Sequence, residues 1–172
     1  ALYFEDYIVA IQNFNQVIKA KPYLTEPYLF RAFAKLNLED YYGAISDCDA
    51  ALEINPFLPK VYYCRGYAYR QLGELEKSTE DFKKSLEFDP NNINTGCLMI
   101  ENMIRQEKTD EALLACENLI QEYPGHVNTY ILRSQIYLAQ QDTTLALMDL
   151  DSAIVHNKFA DLPYAIRGMV KY

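Results

Sequence analysis

Residues 59–90 read PKVYYCRGYAYRQLGELEKSTEDFKKSLEFDP. Tyr62, Arg65, Gly66, Tyr69 and Leu72 recur three and four residues apart, which places them on one side of a helix. Ser78, Phe82, Ser85 and Leu86 repeat that spacing further on. Gly73 stands between the two runs, where a helix stops and the chain reverses, and Pro90 marks the end of the second run. The stretch predicts a hairpin of two helices with an apolar face that it cannot bury alone. Such a hairpin needs copies of itself.

The rest of the chain supplies them. Pro22, Pro56, Pro90 and Pro124 are spaced 34 residues apart. Ala10, Ala44, Ser78, Ala112 and Ala146 share one register, and Phe14, Cys48, Phe82, Cys116 and Leu150 share another. On the first helix of each unit the series are Tyr28, Tyr62, Gly96, Tyr130 and Tyr164, then Ala32, Gly66, Ile100, Ser134 and Gly168. The period predicts partial units at 1–24 and 161–172 around full hairpins at 25–58, 59–92, 93–126 and 127–160. Residues 1–24 are expected to hold the end of a first helix and a whole second helix, and both ends fall inside a repeat, as in a fragment. Thr25 with Pro27, and Asp161 with Pro163, have the chemistry of helix starts. The small residues Ala44, Gly66, Ala112 and Gly168 are expected to let helices approach closely.

A second pattern concerns charge. Arg31, Arg65, Arg133 and Arg167 share a register on first helices, and Asp47, Asp81 and Asp149 share one on second helices. The hairpin at 93–126 has Met99 and Ala115 in these places and so lacks both partners. Pairing within each hairpin (Arg31 with Asp47, Arg65 with Asp81, Arg133 with Asp149) leaves nothing stranded. These pairs are expected to be structural and partly buried, because losing one partner of a buried pair costs far more than losing both.

At this point the chain resembles the tetratricopeptide repeat family. That signature is an aromatic, Leu-Gly, Tyr, Ala, Phe and Pro over 34 residues; here it stands as Tyr62, Arg65-Gly66, Tyr69, Ser78, Phe82 and Pro90. Tyr takes the place of Trp, in a chain with 15 Tyr and no Trp. The resemblance implies an all-α fold, a right-handed α-solenoid of stacked antiparallel helix hairpins, that serves as a protein-protein interaction scaffold. First helices would line a concave face that receives a peptide or a partner helix. Carried over by position, the lining includes Leu29, Phe33, Tyr63, Tyr67, Arg70, Cys97, Glu101, Arg105 and Ile131, with Phe33, Tyr63 and Tyr67 as an aromatic floor. The plainer alternative is that Phe33 and Tyr67 simply pack on each other. Members that grip the carboxylate terminus of heat-shock chaperones need a cationic clamp. The corresponding places hold Leu29, Phe33, Cys64, Asn94 and Leu98, or one unit later Tyr63, Tyr67, Leu98, Asn128 and Leu132. Neither set supplies the clamp.

Composition narrows the remaining classes. A net charge of −8 without a basic run disfavours nucleic acid as a partner, and no apolar run approaches the length of a membrane span. Cys48, Cys64, Cys97 and Cys116 form no Cys-x-x-Cys pair. Cys48 and Cys116, in a register shared with Phe, read as small buried hydrophobes, and free thiols lean to a reducing, cytoplasmic setting. His126 and His156 read as polar residues of inter-repeat turns. Glu39-Asp40 and Asp110-Glu111 fall where second helices start and complement the helix dipole. No catalytic, metal or cofactor constellation is present, so the chain reads as no enzyme. Two further readings stay open: a regulatory segment of a larger protein, and self-association through an uncapped last helix carrying Tyr164, Ile166, Met169, Val170 and Tyr172.

Overall fold

In a computed structural model that describes residues 2–171, the helical spacing is realised along the described residues. The helices are α1 (Leu2–Ala20), α2 (Glu26–Asn37), α3 (Tyr41–Ile54), α4 (Pro59–Gln71), α5 (Leu75–Phe88), α6 (Ile93–Arg105), α7 (Thr109–Glu122), α8 (Val127–Ala139), α9 (Thr143–His156) and α10 (Asp161–Lys171). No strand occurs among the described residues. The expected all-α fold of helical hairpins is what forms. It divides into two compact units, residues 1–95 and 96–172.

Within the first unit α1 packs on α2, α2 on α3, α3 on α4 and α4 on α5. Ala32, Ala44, Cys48, Ala51, Val61 and Cys64 form its buried cluster, and Tyr28, Leu29, Phe33, Leu36, Leu52 and Leu58 pack partly against it. Within the second unit α7 packs on α8, α8 on α9 and α9 on α10. Tyr130, Ile131, Leu150, Ala153 and Ile166 form the corresponding cluster, covered by Ile120, Val127, Leu138 and Val170. All four cysteines are free and buried, which suits their place in the repeat.

The turn inside each hairpin is the same device four times. Asp40, Glu74, Lys108 and Asp142 donate their backbone N–H to Lys35, Tyr69, Met103 and Tyr137, each at 2.9 Å. The residue before each of them, Glu39, Gly73, Glu107 or Gln141, donates to a carbonyl three residues back and has positive φ. This is the Schellman closure, whose left-handed position favours glycine. Glycine stands there once, at Gly73; Glu39, Glu107 and Gln141 have φ of 60, 58 and 64°. Glu39→Gly, Glu107→Gly and Gln141→Gly are therefore each expected to stabilise the fold by about 0.5–1 kcal/mol. A rise in the urea midpoint reads this out; a fall for all three removes the argument.

Several expectations are corrected. α1 is one unbroken helix, so residues 1–24 do not show a hairpin turn. Glu5 and Asp6 hold the register of Glu39 and Asp40, which make the turn of the next hairpin, yet here both lie inside α1. Thr25 has helical backbone angles, and its hydroxyl donates to Glu26 instead of capping α2. The helix starts themselves fall where expected, α2 directly after Thr25 and α10 at Asp161, which is the first helical residue and not a cap before it. Gly168 has nothing within 4 Å of where a Cβ would sit, so no helix approaches it closely. His156 ends α9 and stacks on Tyr130 with ring centroids 5.5 Å apart, so it is no turn residue. On α10 Ile166 is only 8% exposed and, with Val170, faces inward, leaving Tyr164 and Met169 outward with Leu162 beside them. Tyr172 lies outside the described residues.

Candidate partner-binding site

The arginine register builds a compact scaffold behind the first helices. Arg31 donates through Nε to Asp47 at 2.9 Å, Arg65 to Asp81 at 2.8 Å and Arg133 to Asp149 at 2.8 Å, and in each a terminal nitrogen completes a two-pronged bond. The three aspartates are almost fully buried and the arginines are about one-fifth exposed. Burial pushes the Asp81 carboxyl above the usual carboxylate range despite Arg65. Arg65 is held more firmly protonated, chiefly by its hydrogen bond to Asp81.

A partner that the register argument missed lies 16 residues before three of the four arginines. Arg31 also reaches Asn15 at 2.6 Å, Arg65 reaches Asp49 at 2.6 Å and Arg167 reaches Asp151 at 2.7 Å. Each joins a first helix to the second helix of the hairpin before it. Asn15, Asp49 and Asp151 share a register that superposing the repeats would have exposed; Lys83 holds that register ahead of Met99. The tyrosines that replace Trp are locked in the same scheme. Tyr28, Tyr62 and Tyr130 donate their hydroxyls to the carbonyls of Pro22, Pro56 and Pro124 at 3.2, 3.1 and 2.9 Å. Arg31 and Arg65 lie over the rings of Tyr28 and Tyr62. A phenol thus fills the aromatic place and also satisfies a carbonyl at the turn, which an indole could not do from the same atom.

On that support, the first-helix face of residues 1–95 carries two adjoining depressions. One, of roughly 310 Å³, is lined by Phe33, Leu36, Asn37, Tyr63 and Tyr67. The other, of roughly 650 Å³, is lined by Leu29, Phe30, Phe33, Leu58, Pro59 and Tyr63 with Glu26, Lys60, Asp89 and Asn92. Phe33 and Tyr63 belong to both. Tyr63 stacks on Tyr67 at 6.5 Å and leans on Phe82 at 6.1 Å, so the ring is fixed from behind. Its phenol is raised above its usual value, first by burial.

Of the residues expected at the site, the structure brings Leu29, Phe33, Tyr63 and Tyr67 together. Arg70 is half-buried on α4 and lies outside the residues that line either depression. Glu101 is half-buried and Arg105 exposed on α6, in the second unit. Cys97 and Ile131 are corrected: at 4% and 5% exposure they are core residues, not lining. The depressions also recruit Phe30, Leu58, Pro59, Asp89 and Asn92, which the positional argument did not name. Phe30 lies one residue beyond the expected lining position on α2. The others belong to turns and to the helix starts beside them.

The second unit holds a thiol beside an imidazole. Cys97 Sγ is 4.0 Å from His126 Nδ1 and 3.9 Å from Thr129 Oγ1, while His126 and Thr129 are 2.8 Å apart. Burial raises the Cys97 thiol and lowers the His126 imidazole. Both shifts favour the neutral forms, the opposite of an activated thiolate–imidazolium pair. Among the described residues no group of three or more His, Cys, Asp or Glu side chains could hold a metal ion, and no helix is long and apolar enough to cross a membrane.

The fold and these repeating bonds define the class: tandem helical hairpins of the α-solenoid type. The family model of the tetratricopeptide repeat matches residues 59–92, and the same 34-residue period runs through the remaining helices. Solved structures agree in fold. The C-terminal part of a repeat-containing protein from Cytophaga hutchinsonii superposes with a TM-score of 0.84 at 15% identity, covering 98% of this chain and 67% of that one. MamA superposes with a TM-score of 0.83 at 18% identity, covering 90% of each. The first repeat domain of Spaghetti (RPAP3), solved with the HSP90 peptide SRMEEVD, gives 0.59 at 29% identity over 60% of this chain and 82% of that one. No curated protein sequence matches.

Proposed function

We propose that this chain is a protein-interaction scaffold that binds a peptide or a partner's helix on its first-helix face, around Phe33, Tyr63, Tyr67 and Leu29. We read residues 1–172 as one array of the hairpins at 25–58, 59–92, 93–126 and 127–160. The observation that carries the binding reading is the pair of adjoining depressions sharing Phe33 and Tyr63, whose floors are aromatic and half-exposed. Aromatic side chains held rigid from behind provide contact area at little entropic cost, which is what interface anchors need. The Spaghetti domain with its bound HSP90 peptide supports a related fold hosting a peptide. The clamp positions of this chain hold Leu29, Phe33, Cys64, Asn94 and Leu98, so a terminal carboxylate would find no cation there.

The test is affinity capture with the wild-type protein and with a Tyr63→Ala/Tyr67→Ala variant whose helicity is checked by circular dichroism. Loss of a partner by the folded variant is expected. Unchanged recovery would clear the aromatic floor of the role. Phe33→Ser, which spares the Tyr63–Phe82 contact, serves if the double variant is unfolded.

A second reading is self-association of the second unit through Leu162, Tyr164 and Met169, the last 73% exposed. Large exposed apolar side chains favour a covering surface. Light scattering decides it: Met169→Glu should dissociate an oligomer, and a wild-type monomer at high concentration ends the idea.

A further inference from the structure

We propose that the larger depression selects a segment with a bulky apolar residue next to a lysine or arginine. This rests on the peptide-binding reading and adds the chemistry of the guest. The hollow has an apolar floor of Leu29, Phe30, Phe33, Leu58, Pro59 and Tyr63, with Phe30 52% exposed. That floor fits one leucine- or phenylalanine-sized side chain better than a polar one.

Charge at the rim sets the neighbour. Glu26, Asp89 and Lys60 stand around the hollow. Asp47, Asp49, Asp81, Asp149 and Asp151 each have a cation within 2.9 Å. Neither Glu26 nor Asp89 has a cation within ion-pair distance among the described residues; the hydroxyl of Thr25, at 3.3 Å, is the side-chain donor that Glu26 accepts from. Lys60 is likewise unpaired among them, so the rim carries two carboxylates against one ammonium. A cation brought in beside an apolar anchor meets two carboxylates that no cation of the described residues has taken, partly sheltered from water by the anchor itself. A carboxylate brought to the same place meets one ammonium and two repelling charges. The chain's net charge of −8 acts in the same sense on approach.

Fluorescence anisotropy with labelled peptides tests this, using a central leucine or phenylalanine flanked by lysine, glutamine or glutamate. The lysine series is expected to bind about tenfold tighter than the glutamate series at low salt, the size that two rim pairs supply together. Added salt should shrink the gap. Glu26→Gln/Asp89→Asn, on side chains outside the core, should erase the preference for lysine over glutamine. Equal binding of lysine and glutamate peptides, or a preference that survives the double variant, overturns the charge inference. In that case glutamine-series binding that Phe33→Ser abolishes leaves the groove reading standing. Binding by none of the three series overturns both.

Discussion

Arg65→Met is expected to lower the stability of residues 1–95 by roughly 3–5 kcal/mol, the cost of leaving a buried carboxylate without its cation. Asp81 is 4% exposed and takes both prongs of Arg65 at 2.7–2.8 Å, so the substitution strips a buried carboxyl of both bonds. The loss of the exposed Asp49 contact adds little. Arg65→Met/Asp81→Ala should return to within about 1 kcal/mol of the wild type, because a desolvated pair replaced whole by apolar groups is close to neutral. The chain has made that replacement itself at Met99 and Ala115. Urea unfolding of the four proteins forms a double-mutant cycle, and additive losses would show that the two residues are not coupled.

The two partners of that pair differ in what they gain. Arg65 is held protonated by the bond to Asp81, whereas at Asp81 burial outweighs what Arg65 returns, and the carboxyl stands above its ordinary range. A carboxyl whose folded value is raised binds its proton earlier in the folded state than in the unfolded chain. On this group alone, then, stability rises as pH falls through the raised value, the reverse of an ordinary exposed ion pair. This supports the double substitution being mild, since the pair specifies how α4 meets α5 more than it stabilises them.

What the residues make legible is whatever repeats. The 34-residue period places every hairpin turn, and an Arg–Asp offset of 16 residues states which carboxylate can face which guanidinium. Glu39, Glu107 and Gln141 were opaque as left-handed positions because the Schellman closure is imposed by chain reversal, and the residue there only lowers or raises its cost. Burial at a shared register was opaque for another reason. Tyr63, Cys97 and Ile131 hold equivalent places, yet Tyr63 is long enough to emerge from the helix interface while Cys97 is covered. Ile131 is covered as well while Leu29, of the same size and register, is partly exposed, so what packs over each place decides its exposure, and periodicity does not carry that. The rim residues Asp89 and Asn92 lie at the end of α5 and in the turn beyond it, far in sequence from Leu29, and packing alone brings them to the hollow.

Phe82 and Gly66 show length and packing working together, and they carry the last expectation. Phe82 is fully buried, and a Cβ added to Gly66 would lie 2.9 Å from two of its ring atoms and 3.2 Å from the Asp81 Cβ. The glycine exists to admit the ring. In the other hairpins the same two places hold Ala32 with Cys48, Ile100 with Cys116, and Ser134 with Leu150, so each large member faces a smaller one. Phe82→Cys is expected to cost about 3–5 kcal/mol through the cavity left behind. Gly66→Ile costs at least ~1–3 kcal/mol, because the ring is backed by Tyr63 and cannot retreat. Made together, the substitutions reproduce the Ile–Cys pair of residues 93–126, fill the cavity with the new side chain and remove a glycine from a helix interior. The double variant should therefore be more stable than either single variant and recover more than half of the larger loss. Thermal unfolding of the three proteins measures it. A double variant worse than both singles would mean that the hairpins are not interchangeable in volume and that the spacing of α4 from α5 is fixed by something other than this ring.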